Sequence, residues 1–184
     1  NESCHVVHSV VDDMIPFCEY FAVFYVSWFL LLIYSLAYFF FYDIESFSNL
    51  QIFIIVTQVL AMAVYIIWPN RQDLRPAVFD RHNFFTWVMG IIYAFDTPTG
   101  VCPSLHVAYS LGMWSVWWKK KNASKLWKAV LFIWIVMICL SVMFVKQHSF
   151  VDVMAALPVG LLAEVFVYWK PYWKPKLTGR NSGV

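Results

Sequence analysis

The stretch Thr97-Pro98-Thr99-Gly100-Val101-Cys102-Pro103-Ser104-Leu105-His106-Val107 decides how the chain is organised. It is rich in turn-forming residues and passes into an apolar run from Val107 onward. Pro103 followed by Ser104 predicts a helix start, because serine accepts hydrogen bonds from first-turn amides and proline tolerates a position without a donor. His106 would then lie beside free N–H groups at the positive helix end, which is typical of an anion site. A membrane helix with an interfacial histidine gives the same pattern.

Two further polar stretches interrupt the apolar sequence. In Lys146-Gln147-His148-Ser149-Phe150-Val151-Asp152, His148 and Asp152 are four residues apart. If a helix begins near His148, both side chains share one face and the carboxylate can orient the imidazole. A histidine oriented in this way can act as a nucleophile or base with a fixed tautomer. The other stretch, Arg71-Gln72-Asp73-Leu74-Arg75-Pro76, supplies guanidinium groups that suit phosphate.

The composition indicates an integral membrane protein. The chain has 184 residues, of which 61% are hydrophobic and only 13% are charged, and so few charges would not keep a soluble domain in solution. The net charge of +2 is too small to suggest a nucleic-acid partner. The four cysteines show no metal-ligand spacing.

The apolar runs predict an all-α, polytopic membrane helix bundle. Five runs are interpreted as transmembrane helices, at about 15–41, 50–68, 104–118, 126–145 and 148–168. Aromatic and aliphatic residues recur at helical spacing within the 70–100 loop, which predicts an interfacial helix there. Residues 1–170 are predicted to form a single domain, and residues 171–184 a basic, disordered cytoplasmic tail.

The distribution of basic residues predicts the orientation. Basic residues cluster after the third and fifth runs, at Lys119, Lys120, Lys121, Lys125, Lys128, Lys170, Lys174, Lys176 and Arg180. Under the positive-inside rule both segments are cytoplasmic. The opposite helix ends, which carry His106 and His148, then face outside, and Arg75 falls on the same side. The three polar stretches therefore converge on one non-cytoplasmic surface.

These three stretches, in this order, resemble the type 2 phosphatidic acid phosphatase (PAP2) superfamily of membrane lipid phosphatases and phosphotransferases. That family carries an Arg-Pro block, a Pro-Ser-x-His block and a His-x-x-x-Asp block. Here they correspond to Arg75-Pro76, Pro103–His106 and His148–Asp152. The resemblance implies a core of six membrane helices. Only five are visible, and the first would precede Asn1.

The resemblance also implies the role of each residue. His148 would attack phosphorus and form a phosphohistidine, Asp152 would orient His148, and His106 would protonate the leaving group. Arg75 and the amides near Ser104 would bind the phosphoryl oxygens. The resemblance implies no metal and no other cofactor, and it makes a lipid phosphate the expected substrate.

The sequence departs from the family pattern at three positions. Trp68 stands where a lysine is usual, Val142 where an arginine is usual, and Leu105 where glycine is frequent. Lys146 and Arg71 are the candidates to replace the two missing cations. The pattern is more similar to the branch that includes inositol-phosphoceramide synthase-like phosphotransferases and small bacterial membrane proteins, which favours a bacterial plasma membrane.

Two alternatives stay open. His106, His148 and Asp152 form a chemically sensible metal-ligand set, so a metal-binding membrane protein is one. A non-catalytic relative that binds lipid headgroups is the other, since two usual phosphate-binding cations are absent. Hydrolysis and transfer of the phosphoryl group are both compatible with the sequence, as are a monomer and a homo-oligomer among the membrane lipids.

Overall fold

The structure, a computed structural model, describes residues 4–177 and arranges long helices around a short central one. The elements are β1 (His5–Val6), α1 (Val10–Met14), α2 (Ala22–Tyr42), α3 (Ile44–Ile67), β2 (Asn70–Arg71), α4 (Phe84–Phe95), α5 (Leu105–Lys119), α6 (Lys125–Phe144), α7 (Phe150–Tyr168) and α8 (Lys174–Leu177). A 3-10 turn, Glu19–Phe21, precedes α2, and a π turn, Trp169–Trp173, joins α7 to α8.

Within residues 4–177, four stretches are long and apolar enough to cross a membrane: Glu19–Tyr42, Ile44–Ile67, Lys125–Phe144 and Phe150–Leu177. Many of their large apolar side chains are exposed on the outside of the bundle, as expected for a lipid-facing surface. The prediction of a mostly helical membrane protein is confirmed. Helix α5 has 15 residues, fewer than the ~20 that usually span a bilayer, so the fifth span stays a prediction.

Helix α5 lies at the centre of the bundle and packs against α3, α6 and α7. Two glycines allow this close packing. A Cβ atom on Gly112 would lie 2.6 Å from Phe53 Cδ1 of α3, and one on Gly160 of α7 would lie 2.6 Å from Leu111 Cδ1. A side chain at either position would have to displace the Phe53 ring or the Leu111 side chain from its present place. The first turn of α5 is thereby fixed relative to α7.

The turn between α2 and α3 is much shorter than the polar loop at residues 42–49 that separates the first two apolar runs in the sequence. Asp43 alone separates the two helices, because its carboxylate caps α3 by accepting from Ser46 N at 3.1 Å. Lys120 Nζ lies 2.5 Å from Asp43 Oδ2 and ties this turn to the end of α5. Burial raises the pKa of Asp43, but the hydrogen bonds from Lys120 and Ser46 outweigh it and lower that pKa overall.

The 70–100 loop contains a helix, α4, as its periodicity predicted. Asn83 caps α4 by accepting from Phe85 N and Thr86 N, and its amide also donates to the buried carboxylate of Glu19. Arg81 Nη1 lies 3.2 Å from the same carboxylate. These contacts attach α4 to the start of α2. The position of α4 in the membrane interface stays a prediction.

The lysine-rich end of the bundle holds a cavity of about 670 Å³ between the start of α3 and the ends of α5 and α7. Two of its lysines have carboxylate partners: Lys120 contacts Asp43, and Lys119 Nζ lies 2.6 Å from Glu164. The charges of these two lysines are therefore compensated. The first residues of the segment predicted to be a disordered tail, 171–177, form helical turns in the structure. Residues 178–184 lie outside the described part of the chain.

Candidate active site

The N-termini of α5 and α7 meet at the end of the bundle opposite to this cavity. Ser104 caps α5 and Ser149 caps α7, each through its hydroxyl oxygen. Ser104 N donates to the backbone carbonyl of Asp152 at 3.1 Å, which joins the two helix starts directly. Because both helices direct their positive ends toward this region, it favours a bound anion.

His148 and Asp152 form an oriented pair. His148 Nδ1 lies 3.2 Å from Asp152 Oδ2, and Ser149 N donates to the same oxygen at 2.9 Å. The Asp152 side chain is fully buried, whereas 11% of the His148 side chain is exposed. The carboxylate favours the tautomer with the proton on Nδ1. This leaves the lone pair on Nε2, which makes no hydrogen bond to the described part of the protein.

His106 is held in a pocket of aromatic rings. Its ring centroid lies 4.7 Å from that of Tyr25 and 4.2 Å from that of Trp28. Trp28 Nε1 also donates to the His106 carbonyl at 3.0 Å, so the backbone is fixed as well. The ring of His148 is 5.9 Å away, centroid to centroid. Among residues 4–177, no partner accepts from or donates to the enclosed His106 Nε2.

Arg75 approaches the same site from the loop after β2. Its Nη2 donates to Gln147 Oε1 at 2.6 Å, and Gln147 precedes His148. Its Nη1 donates to the carbonyls of Asp96 at 2.8 Å and Tyr93 at 3.2 Å. The guanidinium is thus positioned by three oxygens. Its Nε is buried and finds no acceptor within the described residues.

Two buried amides hold the loops that carry these groups. Asn70 accepts from Val101 N at 2.8 Å and Cys102 N at 2.9 Å, and it donates to the Cys102 carbonyl. Gln72 N donates to the Pro98 carbonyl, and Gln72 Nε2 donates to the Lys146 carbonyl at 3.1 Å. The loops of all three polar stretches are therefore connected by hydrogen bonds.

The two candidate replacement cations make other contacts in the structure. Lys146 Nζ donates to the backbone carbonyls of Asp12 and Ile15. Arg71 Nη2 lies 3.3 Å from Asp73 Oδ2, and the Arg71 backbone is part of β2. Burial lowers the pKa of Lys146, partly offset by the nearby carboxylates of Asp12 and Asp13. Lys146 thus contacts the N-terminal segment, residues 4–18.

Several residues at this site were not identified from the sequence. Gln147 and Tyr25 carry no local motif, and their role depends on contacts with Arg75 and His106. Asp12 is buried against the start of α7. A capping pattern with Ser9 was the only local signal for it. Across residues 4–177, no three His, Cys, Asp or Glu side chains cluster in a way that could hold a metal ion.

Comparison with known proteins gives a family and a fold. The model of the PAP2 superfamily matches residues 69–176, more than half of the chain. The crystal structure of LpxE from Aquifex aeolicus is similar, with a TM-score of 0.54 over 88% of this chain and 87% of that one, at 20% sequence identity. No curated protein sequence matches the chain.

Proposed function

This chain belongs to the PAP2 superfamily and is a phosphoric-ester hydrolase of the membrane, and from this premise we propose that it dephosphorylates a lipid phosphate through a phosphohistidine intermediate. His148 is the proposed nucleophile, His106 the proposed acid, and Asp152 the group that orients His148. The proposed phosphate-binding groups are Arg75, the backbone amides near Ser104 and, at longer range, Arg71. Lys146 is proposed to act indirectly, through the N-terminal segment that it contacts.

One observation carries this proposal: the rings of His106 and His148 lie 5.9 Å apart, and the buried His106 Nε2 and Arg75 Nε find no hydrogen-bond partner within residues 4–177. The third nitrogen is His148 Nε2, on the side of the ring away from Asp152, and other contacts fix all three side chains in place. Buried polar groups without partners are rare and costly. A phosphoryl group supplies oxygen acceptors for two of these nitrogens and an electrophilic phosphorus for the third.

The first proposed step is an in-line displacement. The lone pair on His148 Nε2 forms a bond to phosphorus while the bond from phosphorus to the ester oxygen breaks. His106, protonated on both ring nitrogens, donates its Nε2 proton to that oxygen, so that the lipid leaves as an alcohol and His106 becomes a neutral imidazole. Arg75 and the first-turn amides of α5 stabilise the equatorial oxygens, where charge is spread in the transition state. Asp152 stabilises the positive charge on the His148 ring.

The second proposed step releases the phosphoryl group. Water attacks phosphorus, His106 accepts the water proton, and the bond from phosphorus to His148 Nε2 breaks. An alcohol in place of water would give a new ester, so the same site supports transfer. Each proton and electron pair in both steps is handled by residues of this chain, and we therefore propose that the reaction needs no metal.

The function is tested by product analysis with a panel of lipid phosphates and diphosphates. We expect the purified protein in detergent or liposomes to release inorganic phosphate from at least one of them, in the presence of a metal chelator. Thin-layer chromatography with and without candidate acceptor alcohols separates hydrolysis from transfer. No turnover across the panel would contradict the proposal, and activity that a chelator removes would favour the metal-binding alternative.

The site is proposed to face the non-cytoplasmic side. His106 and His148 lie at the starts of α5 and α7, and the lysines from Lys119 to Lys128 lie at the other end of the bundle. Excess lysine marks cytoplasmic segments.

Cysteine labelling in intact cells tests this orientation. In a background with the native cysteines replaced, Asp73→Cys on the site side is expected to react with a membrane-impermeant maleimide. Lys121→Cys at the opposite end is expected to react only after the cells are permeabilised. Both positions are solvent-exposed. The reverse pattern of labelling would place the site in the cytoplasm.

A further inference from the structure

The N-terminal segment, residues 4–18, lies against the candidate site although it is outside the residues that match the family model. Strand β1 pairs in parallel with β2, and Val7 N donates to the Arg71 carbonyl at 2.8 Å. At the other end of the segment, Cys18 N donates to the Phe144 carbonyl at 3.0 Å. The segment thus connects the loop of Arg75 with the loop of His148.

Asp12 is the centre of this contact. Its side chain is buried, with Oδ1 accepting from Phe150 N at 2.7 Å and Oδ2 accepting from Ser149 Oγ at 2.6 Å. Ser9 N donates to the same Oδ2 at 2.8 Å. A carboxylate from a distant segment therefore caps the first turn of α7, where helix amides have no intrahelical acceptor.

Ser149 links this carboxylate to the proposed nucleophile. Its hydroxyl donates to Asp12, and its backbone N–H donates to Asp152 Oδ2, which in turn lies 3.2 Å from His148 Nδ1. Asp12 thereby fixes the conformation of Ser149, and Ser149 fixes the carboxylate that orients the imidazole. We propose that Asp12 is a positioning residue for His148, an inference that rests on the proposed function.

Charge and backbone contacts both favour this role. Burial by itself raises the pKa of Asp12, but hydrogen bonds from Ser149, Phe150 and Ser9 outweigh it, so the pKa is lowered and the carboxylate is ionised at neutral pH. A negative charge at the start of α7 is stabilised by the helix dipole. Lys146 Nζ donates to the Asp12 carbonyl at 2.8 Å and holds the main chain of the segment in place.

The test compares Asp12→Asn with Asp13→Asn. Asparagine has the size of aspartate but carries an NH₂ group in place of one oxygen, so the hydrogen bonds from Ser9 N and Ser149 Oγ to Oδ2 and from Phe150 N to Oδ1 cannot all be kept. We expect Asp12→Asn to lower kcat about tenfold with KM changed less than about twofold, since a small misplacement of a catalytic group is enough for such a loss. Asp13 is 66% exposed, and its carboxylate pairs with His8 rather than with Ser149 or Phe150. Asp13→Asn is expected to retain the wild-type kcat.

A second readout does not depend on activity. Hydrogen exchange of the backbone amides of Ser149 and Phe150 is expected to accelerate in Asp12→Asn and to stay unchanged in Asp13→Asn. If Asp12→Asn does not fold, Ser9→Ala replaces it, because it removes one hydrogen bond to Asp12 and keeps the carboxylate. It is expected to lower kcat by about two- to threefold.

The outcomes separate this inference from the proposed function. Wild-type kcat and unchanged exchange in Asp12→Asn would overturn the positioning role while the enzyme still turns over lipid phosphate. Faster exchange at Ser149 and Phe150 in a protein that cleaves no lipid phosphate would support the structural link and overturn the proposed function. A parallel loss of kcat in both aspartate variants would also overturn the role, because a general effect of charge would explain it.

Discussion

His148→Ala is expected to abolish phosphate release, with a loss of at least about 10³-fold in kcat, since removing a nucleophile removes the covalent pathway itself. The reason lies in the geometry of the ring. Nδ1 faces the buried Asp152 at 3.2 Å, so Nε2 is the nitrogen left for attack. Alanine supplies no nucleophile. The variant is expected to fold, because His148 precedes the cap of α7 and is not part of the buried core.

Trapping the intermediate makes this prediction sharper than a loss of activity. Wild-type protein quenched in base during turnover of a ³²P-labelled substrate is expected to carry label that is stable to base and labile to acid, as a phosphoramidate bond is. His148→Ala is expected to carry none. His82→Ala is the matched control, because His82 is exposed on the loop before α4 and is expected to retain both turnover and label. Full turnover in His148→Ala, or label that persists in it, would contradict the assignment of the nucleophile.

The helical bundle was predictable because membrane helices depend on local sequence. A run of about 20 apolar residues must satisfy its backbone hydrogen bonds within itself, so hydropathy alone gives the helix and its approximate ends. The predicted helix boundaries are wrong where a single side chain determines where a helix begins. Asp43 caps α3 and shortens the expected loop at residues 42–49 to one residue. The sequence around Asp43 does not show that this residue caps a helix, because its partner Ser46 could equally be part of a loop.

The candidate site was predictable as far as it is made of short motifs. The spacing from His148 to Asp152 predicted that the two side chains meet, and they do, although His148 lies just before the N-cap of α7. Pro103 and Ser104 marked the start of α5. What the spacing does not contain is the partner of each group. The contacts of Lys146 with Asp12 and of Arg75 with Gln147 join residues more than 70 positions apart. Such pairs depend on how the loops fold over the bundle, and no local pattern encodes them.

Replacing His106 by phenylalanine is expected to impair the reaction in a way that depends on the leaving group. Phenylalanine keeps an aromatic ring between Tyr25 and Trp28, so the packing of the pocket is largely preserved. It removes Nε2, the enclosed nitrogen that finds no partner within residues 4–177. A lipid alkoxide is a poor leaving group and needs a proton as the ester bond breaks. With a lipid phosphate, kcat is expected to fall by about 10²- to 10⁴-fold, the usual contribution of a general acid.

An aryl phosphate such as p-nitrophenyl phosphate isolates the two steps, because nitrophenolate leaves without a proton. The first turnover of His106→Phe is then expected to approach the wild-type rate within about tenfold. Hydrolysis of the phosphohistidine still needs a base for the attacking water, and the variant has none. Stopped-flow measurement should therefore show a burst of about one nitrophenolate per enzyme followed by slow turnover. Equal losses for lipid and aryl substrates without a burst would mean that His106 binds phosphate and transfers no proton. His106, whose ring lies 5.9 Å from that of His148, would then be a phosphate-binding group like Arg75.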